Sequence, residues 1–266
     1  MCDYGLGRNG RWLRLHTAVD YGCFAPVAAF VECFKNMGLT VTAEETRAHM
    51  GLTKIEEIRA LFAIDHVREE FSEKYGRDYN EDDVQACYKG FQDKLMATLA
   101  DYSEPIDGVV ETVAALKAQG IKLGSTTGYT KTMMDIVIKA AAEKGYTVDN
   151  CVTSDNMPGG RPKPYMIYKN MCDLDVASRH SVVKFGDTIA DIKEGANAGV
   201  WSVGVILGSN ELALTRDEVA AMPADELKRR MACVRNRMYA AGADFVVDDI
   251  TELPGLIDSI NARMNR

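Results

Sequence analysis

The chain is predicted to be an α/β protein: a parallel sheet covered by helices on both faces, with an all-helical insert near its start. Two observations predict this. From residue 103 onward short apolar strands alternate strictly with helical segments, which implies parallel strands joined by crossover helices. From Phe24 to about Tyr102 every segment carries apolar residues at three- and four-residue spacings and no strand interrupts. The 266 residues are enough for one domain plus an insert.

The helical block reads FAPVAAFVECFKNMG, TAEETRAHMG, TKIEEIRALF, HVREEFSEKYG and EDDVQACYKGFQDKLMATLADY, with glycines and polar clusters as stops. The Met and aromatic residues of FVECFKNM suit a core or an interface equally. After SEPIDG come the helix VVETVAALKAQG, the strand IKLGSTT, the helix TKTMMDIVIKAAAEKG and the strand CVTSD. The helix PYMIYKNMCDLD, the strand SVVKFGDT, the helix IADIKEGANAG and the strand VWSVGVIL follow. One long helix from Thr215 to Ala241, the strand ADFVVDDI and a last helix complete the order. The expected division is a core of residues 1–22 and 103–266 with a helical domain over 23–102.

Composition narrows the function. Hydrophobic residues make up 47% and charged residues 26%, ordinary values for a soluble protein. No apolar run approaches the roughly 18 residues of a membrane span, and MCDYGLGRNGRW has no apolar signal-peptide core. A cytoplasmic location is expected, with no membrane partner. The net charge of −8 and the dispersed basic residues argue against a nucleic-acid partner. The seven cysteines form no CxxC pair and are odd in number, as suits reduced thiols.

Ligands of parallel sheets bind beyond the carboxyl ends of the strands, and three such ends carry chemistry. In IKLGSTTGYT, Ser125, Thr126, Thr127 and Gly128 gather hydroxyl and backbone donors that suit a phosphoryl oxygen or cap the next helix. In KFGDTIADIKEG, Asp187 and Asp191 stand four residues apart, either as hard oxygen ligands for Mg²⁺ or as a helix cap and a surface acid. In GGRPKPYMIY, Arg161 enters a proline-stiffened turn, ready to clamp an anion bidentately or to sit solvated in a loop.

A hydroxyl-bearing strand end, an Arg-Pro-x-Pro helix entry and GDxxxD, in that order, resemble the later motifs of the haloacid dehalogenase superfamily. That resemblance implies a Rossmann-like core with an inserted helical cap. More specifically, TAVDYGCFAP, MGLTKIEEIRAL, GSTTGYT, GRPKPYMIYKN, GDTIADIKEGANAG and VGVILGSNELALT are similar to the phosphonoacetaldehyde hydrolase (phosphonatase) family over about residues 17–266. The resemblance implies hydrolysis of the C–P bond of phosphonoacetaldehyde, a small-molecule substrate, to acetaldehyde and phosphate. It also implies Mg²⁺ as cofactor and a homodimer formed through cap helices.

C–P cleavage leaves electrons on carbon, and condensing an amine with the neighbouring aldehyde lets the leaving group depart as an enamine. The resemblance assigns this amine to Lys54. Thr53-Lys54-Ile55-Glu56 reads as a capping box, with Lys54 at the first helical position. The helix dipole there disfavours an ammonium by roughly 0.3–1 kcal/mol. That is too little by itself for a reactive amine, so burial beside Met50, Leu52 and the substrate has to supply the rest. Tyr129 and Cys23 match the family's pocket, and a phosphoryl group is expected on Thr126, Thr127, Gly128 and Arg161. Glu57 departs from the pattern, which has a histidine three residues after the lysine as proton carrier.

The first motif is a larger departure. The resemblance places the nucleophilic aspartate at Leu13 and a metal-binding backbone carbonyl at Leu15. Leucine cannot attack phosphorus. Residues 1–16 hold three Arg and three Gly with no Val or Ile, unlike a central strand buried on both faces, and Asp3 sits in a segment that reads as disordered. Three explanations stand. Residues before Thr17 come from another reading frame or start site, which is favoured because the similarity stops abruptly. Alternatively the chain is a pseudoenzyme that binds without turnover, or Asp3 or Asp20 substitutes through a rearranged N-terminus. The first two make the chain inactive as written. Without a proper first strand, the sheet is expected to carry a defect at its centre. A generic sugar-phosphate phosphatase or mutase is a third functional reading, against which Lys54 argues.

Overall fold

The computed structural model of the protein describes residues 12–15, as backbone, and residues 24–264. Strand β1 (Trp12–Leu15) is followed by five helices: α1 (Phe24–Asn36), α2 (Ala43–Ala48), α3 (Lys54–Phe62), α4 (Asp65–Tyr75) and α5 (Glu81–Thr98). Alternation then sets in: α6 (Val109–Ala118), β2 (Lys122–Thr127), α7 (Lys131–Glu143), β3 (Asn150–Thr153), α8 (Tyr165–Asp173) and β4 (Val182–Gly186). The chain continues through α9 (Ile189–Ala198), β5 (Trp201–Val205), α10 (Arg216–Ala221), α11 (Ala224–Ala240), β6 (Phe245–Val247) and α12 (Leu253–Met264).

The six strands form one parallel sheet in the order β3-β2-β1-β4-β5-β6. The strand order reverses between β1 and β4, and the crevice at such a switch point is where this architecture binds ligands. β4 is buried along its whole length, as a strand covered on both faces should be.

Two sequence expectations are corrected. Residues 12–15 do form the central strand: Leu13 pairs with Leu123 and Val183, and Leu15 with Phe185. The sheet therefore has no gap at its centre, because ladder hydrogen bonds come from the backbone whatever the side chains. The expected long helix from Thr215 to Ala241 is two, α10 and α11. Pro223 lacks an N–H and holds the preceding Met222 extended, at φ −75° and ψ 137°.

Helices α1–α5 enclose their own apolar core. Phe30, Phe34, Phe62, Phe71 and Phe91 are fully buried in it, joined by Met133 and Val137 from α7. Phe30 stacks on Phe91 with ring centroids 4.1 Å apart, and Phe34 meets Phe62 at 4.9 Å. The FVECFKNM stretch thus turns Phe30, Cys33 and Phe34 into core rather than onto the surface. Capping boxes at Thr42, Thr53 and Asn80 start three of these helices, so the cap's local structure is written in its sequence. Among the described residues no helix is long and apolar enough to cross a membrane.

Candidate active site

The loop MGLTK between α2 and α3 carries Lys54 onto the carboxyl edge of the sheet. Two close approaches seat it there. Gly51 has φ +97°, and a Cβ on it would lie 2.7 Å from the Thr188 hydroxyl at the start of α9. A Cβ on Gly128, just past β2, would lie 2.2 Å from the Leu52 carbonyl oxygen. Only glycine fits either position. The cap loop therefore rests against the loops that follow β2 and β4.

The predicted capping box at Thr53 is present, so Lys54 opens α3. Its side chain does not point to water: Lys54 is 5% exposed. The Nζ lies 3.5 Å from Met50 Sδ and 5.4 Å from the ring centroids of both Phe30 and Tyr129. Two aromatic faces at that distance favour a cation. The closest partner is Glu57, one turn along α3, whose Oε1 and Oε2 accept from Nζ at 3.0 and 2.8 Å. Glu57 is 1% exposed and also accepts from the Gly51 N–H at 3.0 Å. Burial raises its carboxyl above the ordinary range, against the opposing pull of Lys54, the Gly51 N–H and Arg161.

On the core side, Asp187 follows β4 and is fully buried, with Oδ2 accepting from the Asn210 N–H at 2.8 Å. Asp191 is equally buried. Its Oδ1 accepts from Arg161 at 2.8 Å and from Lys184, and its Oδ2 accepts from the Thr188 hydroxyl at 2.7 Å. Arg161 is therefore no solvated loop residue; it is 2% exposed. Lys184 also pairs with Glu194 at 3.4 Å, and Glu194 accepts from the Thr126 hydroxyl at 3.3 Å. Thr127 Oγ1 accepts from the Tyr129 N–H at 3.1 Å, which turns the loop after β2. Asn210 links core to cap, since its Oδ1 accepts from Arg47 at 3.1 Å.

The structure thus brings Lys54, Met50, Tyr129, Thr126, Thr127, Gly128, Arg161, Asp187 and Asp191 to one edge of the sheet. Cys23, Asp3 and Asp20 lie outside the described residues. Sequence reasoning missed Lys184, Glu194, Thr188 and Asn210. Lys184 left a signal, a lone cation inside the apolar run SVVKFG, and Glu194 lies one turn of α9 beyond Asp191.

The oxygens that could hold a divalent cation here are the Asp187 carboxylate and the backbone carbonyl of Leu15, whose strand ends beside β4 in the Leu15–Phe185 register. Among the described residues no group of three carboxylate, His or Cys side chains gathers to hold a metal. A single carboxylate with a carbonyl fits an ion that keeps most of its waters, as Mg²⁺ does.

Comparisons with known proteins agree with this architecture. The profile of the haloacid dehalogenase-like hydrolase family matches residues 25–205. A phosphonoacetaldehyde hydrolase of Bacteroides fragilis is 53% identical over 249 residues, which cover 94% of this chain and 95% of that protein. One from Bacillus cytotoxicus is 50% identical over 244 residues, 92% of each chain. The crystal structure of a phosphonoacetaldehyde hydrolase-like protein from Oleispira antarctica superposes with a TM-score of 0.92 at 36% identity, covering 95% of this chain and 93% of that one. With a fold, a buried lysine and whole-length relatives in agreement, the chain belongs to the phosphonoacetaldehyde hydrolases of the haloacid dehalogenase-like hydrolase family.

Proposed function

We propose that this site is built to hydrolyse the C–P bond of phosphonoacetaldehyde to acetaldehyde and phosphate through a Schiff base on Lys54, with the aspartate nucleophile replaced by Leu13. The observation that carries the reading is the buried Lys54 amine, delivered by the cap loop to the carboxyl edge of the sheet beside Tyr129 and Met50. A generic phosphatase has no use for an amine there. Condensation with the aldehyde makes an iminium that accepts the electron pair of the breaking C–P bond.

In this reading Thr126, Thr127, Gly128 and Arg161 hold the phosphoryl group, Met50 and Tyr129 line the aldehyde end, and the family resemblance adds Cys23 to that pocket. Arg161 keeps its guanidinium oriented through Asp191. Asp187 and the Leu15 carbonyl would hold Mg²⁺, which supplies charge neutralisation at the phosphoryl oxygens when bound. The sequence motif pairs Asp191 with Asp187 as a metal ligand. Its two oxygens already accept from Arg161, Lys184 and Thr188, so its part in the site is to anchor those groups. The reading includes a cytoplasmic homodimer joined through cap helices.

Leu13 favours a second reading, a phosphonate-binding protein without turnover, since the position aligned with the nucleophile carries no carboxylate. Borohydride trapping with phosphonoacetaldehyde and acetaldehyde release in Mg²⁺ test both. A reduced adduct on Lys54 with acetaldehyde release supports the hydrolase. An adduct without release, from a chain of verified N-terminus, supports the binding protein. No adduct on Lys54 removes the phosphonatase pocket altogether.

A further inference from the structure

We propose that Asn210 is a positioning residue for the Lys54 amine: it ties the start of the MGLTK loop to the same strand-end platform that holds Asp187. This rests on the reading of Lys54 as the Schiff-base residue and adds to it the group that holds the amine over the sheet. Asn210 lies in the loop after β5 and is buried. That loop is fixed locally. The Ile206 and Leu207 N–H groups donate to the Val247 and Asp248 carbonyls at the end of β6, and Ser209 Oγ accepts from the Leu212 N–H.

From this platform Asn210 reaches both domains. Its backbone N–H donates to Asp187 Oδ2 at 2.8 Å. Its side-chain Oδ1 accepts from Arg47 Nη1 at 3.1 Å, and its Nδ2 donates to the Arg47 carbonyl at 3.3 Å. A flipped amide would set donor against donor and oxygen against oxygen, so the partners fix its orientation. Arg47 stands in the last turn of α2, and its carbonyl also accepts from the Met50 N–H at 3.1 Å. Met50 in turn places Sδ 3.5 Å from Lys54 Nζ. The Asn210 amide therefore grips the backbone from which the lysine loop departs, while Gly51 packs the middle of that loop on Thr188. The Arg47 guanidinium lies 4.6 Å from the ring centroid of Phe24, where α1 begins. An apolar side chain would fill the same space, but only a carboxamide meets a donor and an acceptor of one residue together.

The test needs neither turnover nor metal, and the backbone contact to Asp187 survives every side-chain replacement. The rate of the borohydride-trapped phosphonoacetaldehyde adduct on Lys54, located by peptide mass, is followed against aldehyde concentration. The full chain is compared with Asn210→Ala, Asn210→Asp and Arg47→Ala. Hydrogen–deuterium exchange of the peptide over residues 48–54 is read beside that of α5, a cap helix away from the contact. Asn210→Ala is expected to lower the maximal trapping rate about tenfold, the worth of two neutral hydrogen bonds, with the half-saturating concentration unchanged. Exchange should rise over 48–54 and stay at the wild-type level in α5. Asn210→Asp keeps an acceptor for the guanidinium but sets an oxygen against the Arg47 carbonyl, so it should slow trapping as much as Ala. Arg47→Ala retains the carbonyl and should slow it less. The inference falls, while Lys54 stands, if Asn210→Ala matches the wild type in either readout. It falls equally if exchange rises through α5 as well, which marks a purely structural role, or if Asn210→Asp traps at the wild-type rate. If the wild type leaves no adduct on Lys54, both fall. Should Asn210→Ala not fold, Asn210→Asp decides by the same two readouts.

Discussion

The backbone of Gly128 passes so close beneath Leu52 that a Cβ at Gly128 would stand 2.2 Å from the Leu52 carbonyl oxygen. The contact joins the end of a core strand to the cap loop that holds Lys54. It is backbone against side-chain position, so no rotamer can relieve it.

Gly128→Ala should therefore lift the MGLTK loop off the sheet. The expected loss is about 1–3 kcal/mol of stability in urea denaturation, as for other overpacked positions. Adduct formation on Lys54 should slow about 100-fold, because a displacement of about 1 Å has effects of that size. Wild-type behaviour in both measurements would mean the two loops do not meet as described.

Asp191 neutralises two buried cations, Arg161 and Lys184. Asp191→Ala should cost about 3–5 kcal/mol, the usual penalty for stranding buried charge. Lys184 keeps Glu194 as a partner, which holds the expected loss toward the lower figure. A change below about 1 kcal/mol in equilibrium denaturation would show that solvent reaches this network.

With Mg²⁺ present, the chain as written should release no acetaldehyde from phosphonoacetaldehyde. Leu13→Asp should raise release above background, and EDTA should abolish what it gains. Release by the unchanged chain would point to another nucleophile, with Asp3 and Asp20 as the next residues to replace.

His66 on α4 meets Glu45 of α2 at 2.7 Å, with Glu70 at 3.6 Å. The hydrogen bond to Glu45 chiefly raises its pKa above 6.5. A raised histidine stabilises the fold below the unfolded value of about 6.5 and loses that contribution as pH climbs through the folded value. The pair is substantially exposed, so its share of stability is small. NMR titration should put His66 above 6.5 and return it toward 6.5 in Glu45→Gln. An unmoved midpoint in the variant would assign the shift to Glu70.

Much of the site is legible in the sequence. The Thr53 capping box put Lys54 at a helix start, and the strand-end motifs named Thr126, Arg161 and Asp187, because caps and strand ends are set by a few adjacent residues. Glu57 shows where that reading stopped. On sequence it stood where a histidine was expected; in the fold it is the closest partner of the lysine amine. Its burial comes from α3 packing within the cap, against α5 and, through Phe62, against Phe34 of α1.

The alternation of strands and helices and the helical insert follow from local periodicity, which any window of the chain displays. Packing in space settled the rest. It paired Trp12–Leu15 into the centre of the sheet, where backbone ladders outweighed an unpromising side-chain pattern. It also drew Lys184, Asp191, Glu194 and Arg161 from three segments into one buried network. Buried charges must find opposite charges across space, and that requirement leaves no mark on neighbouring residues.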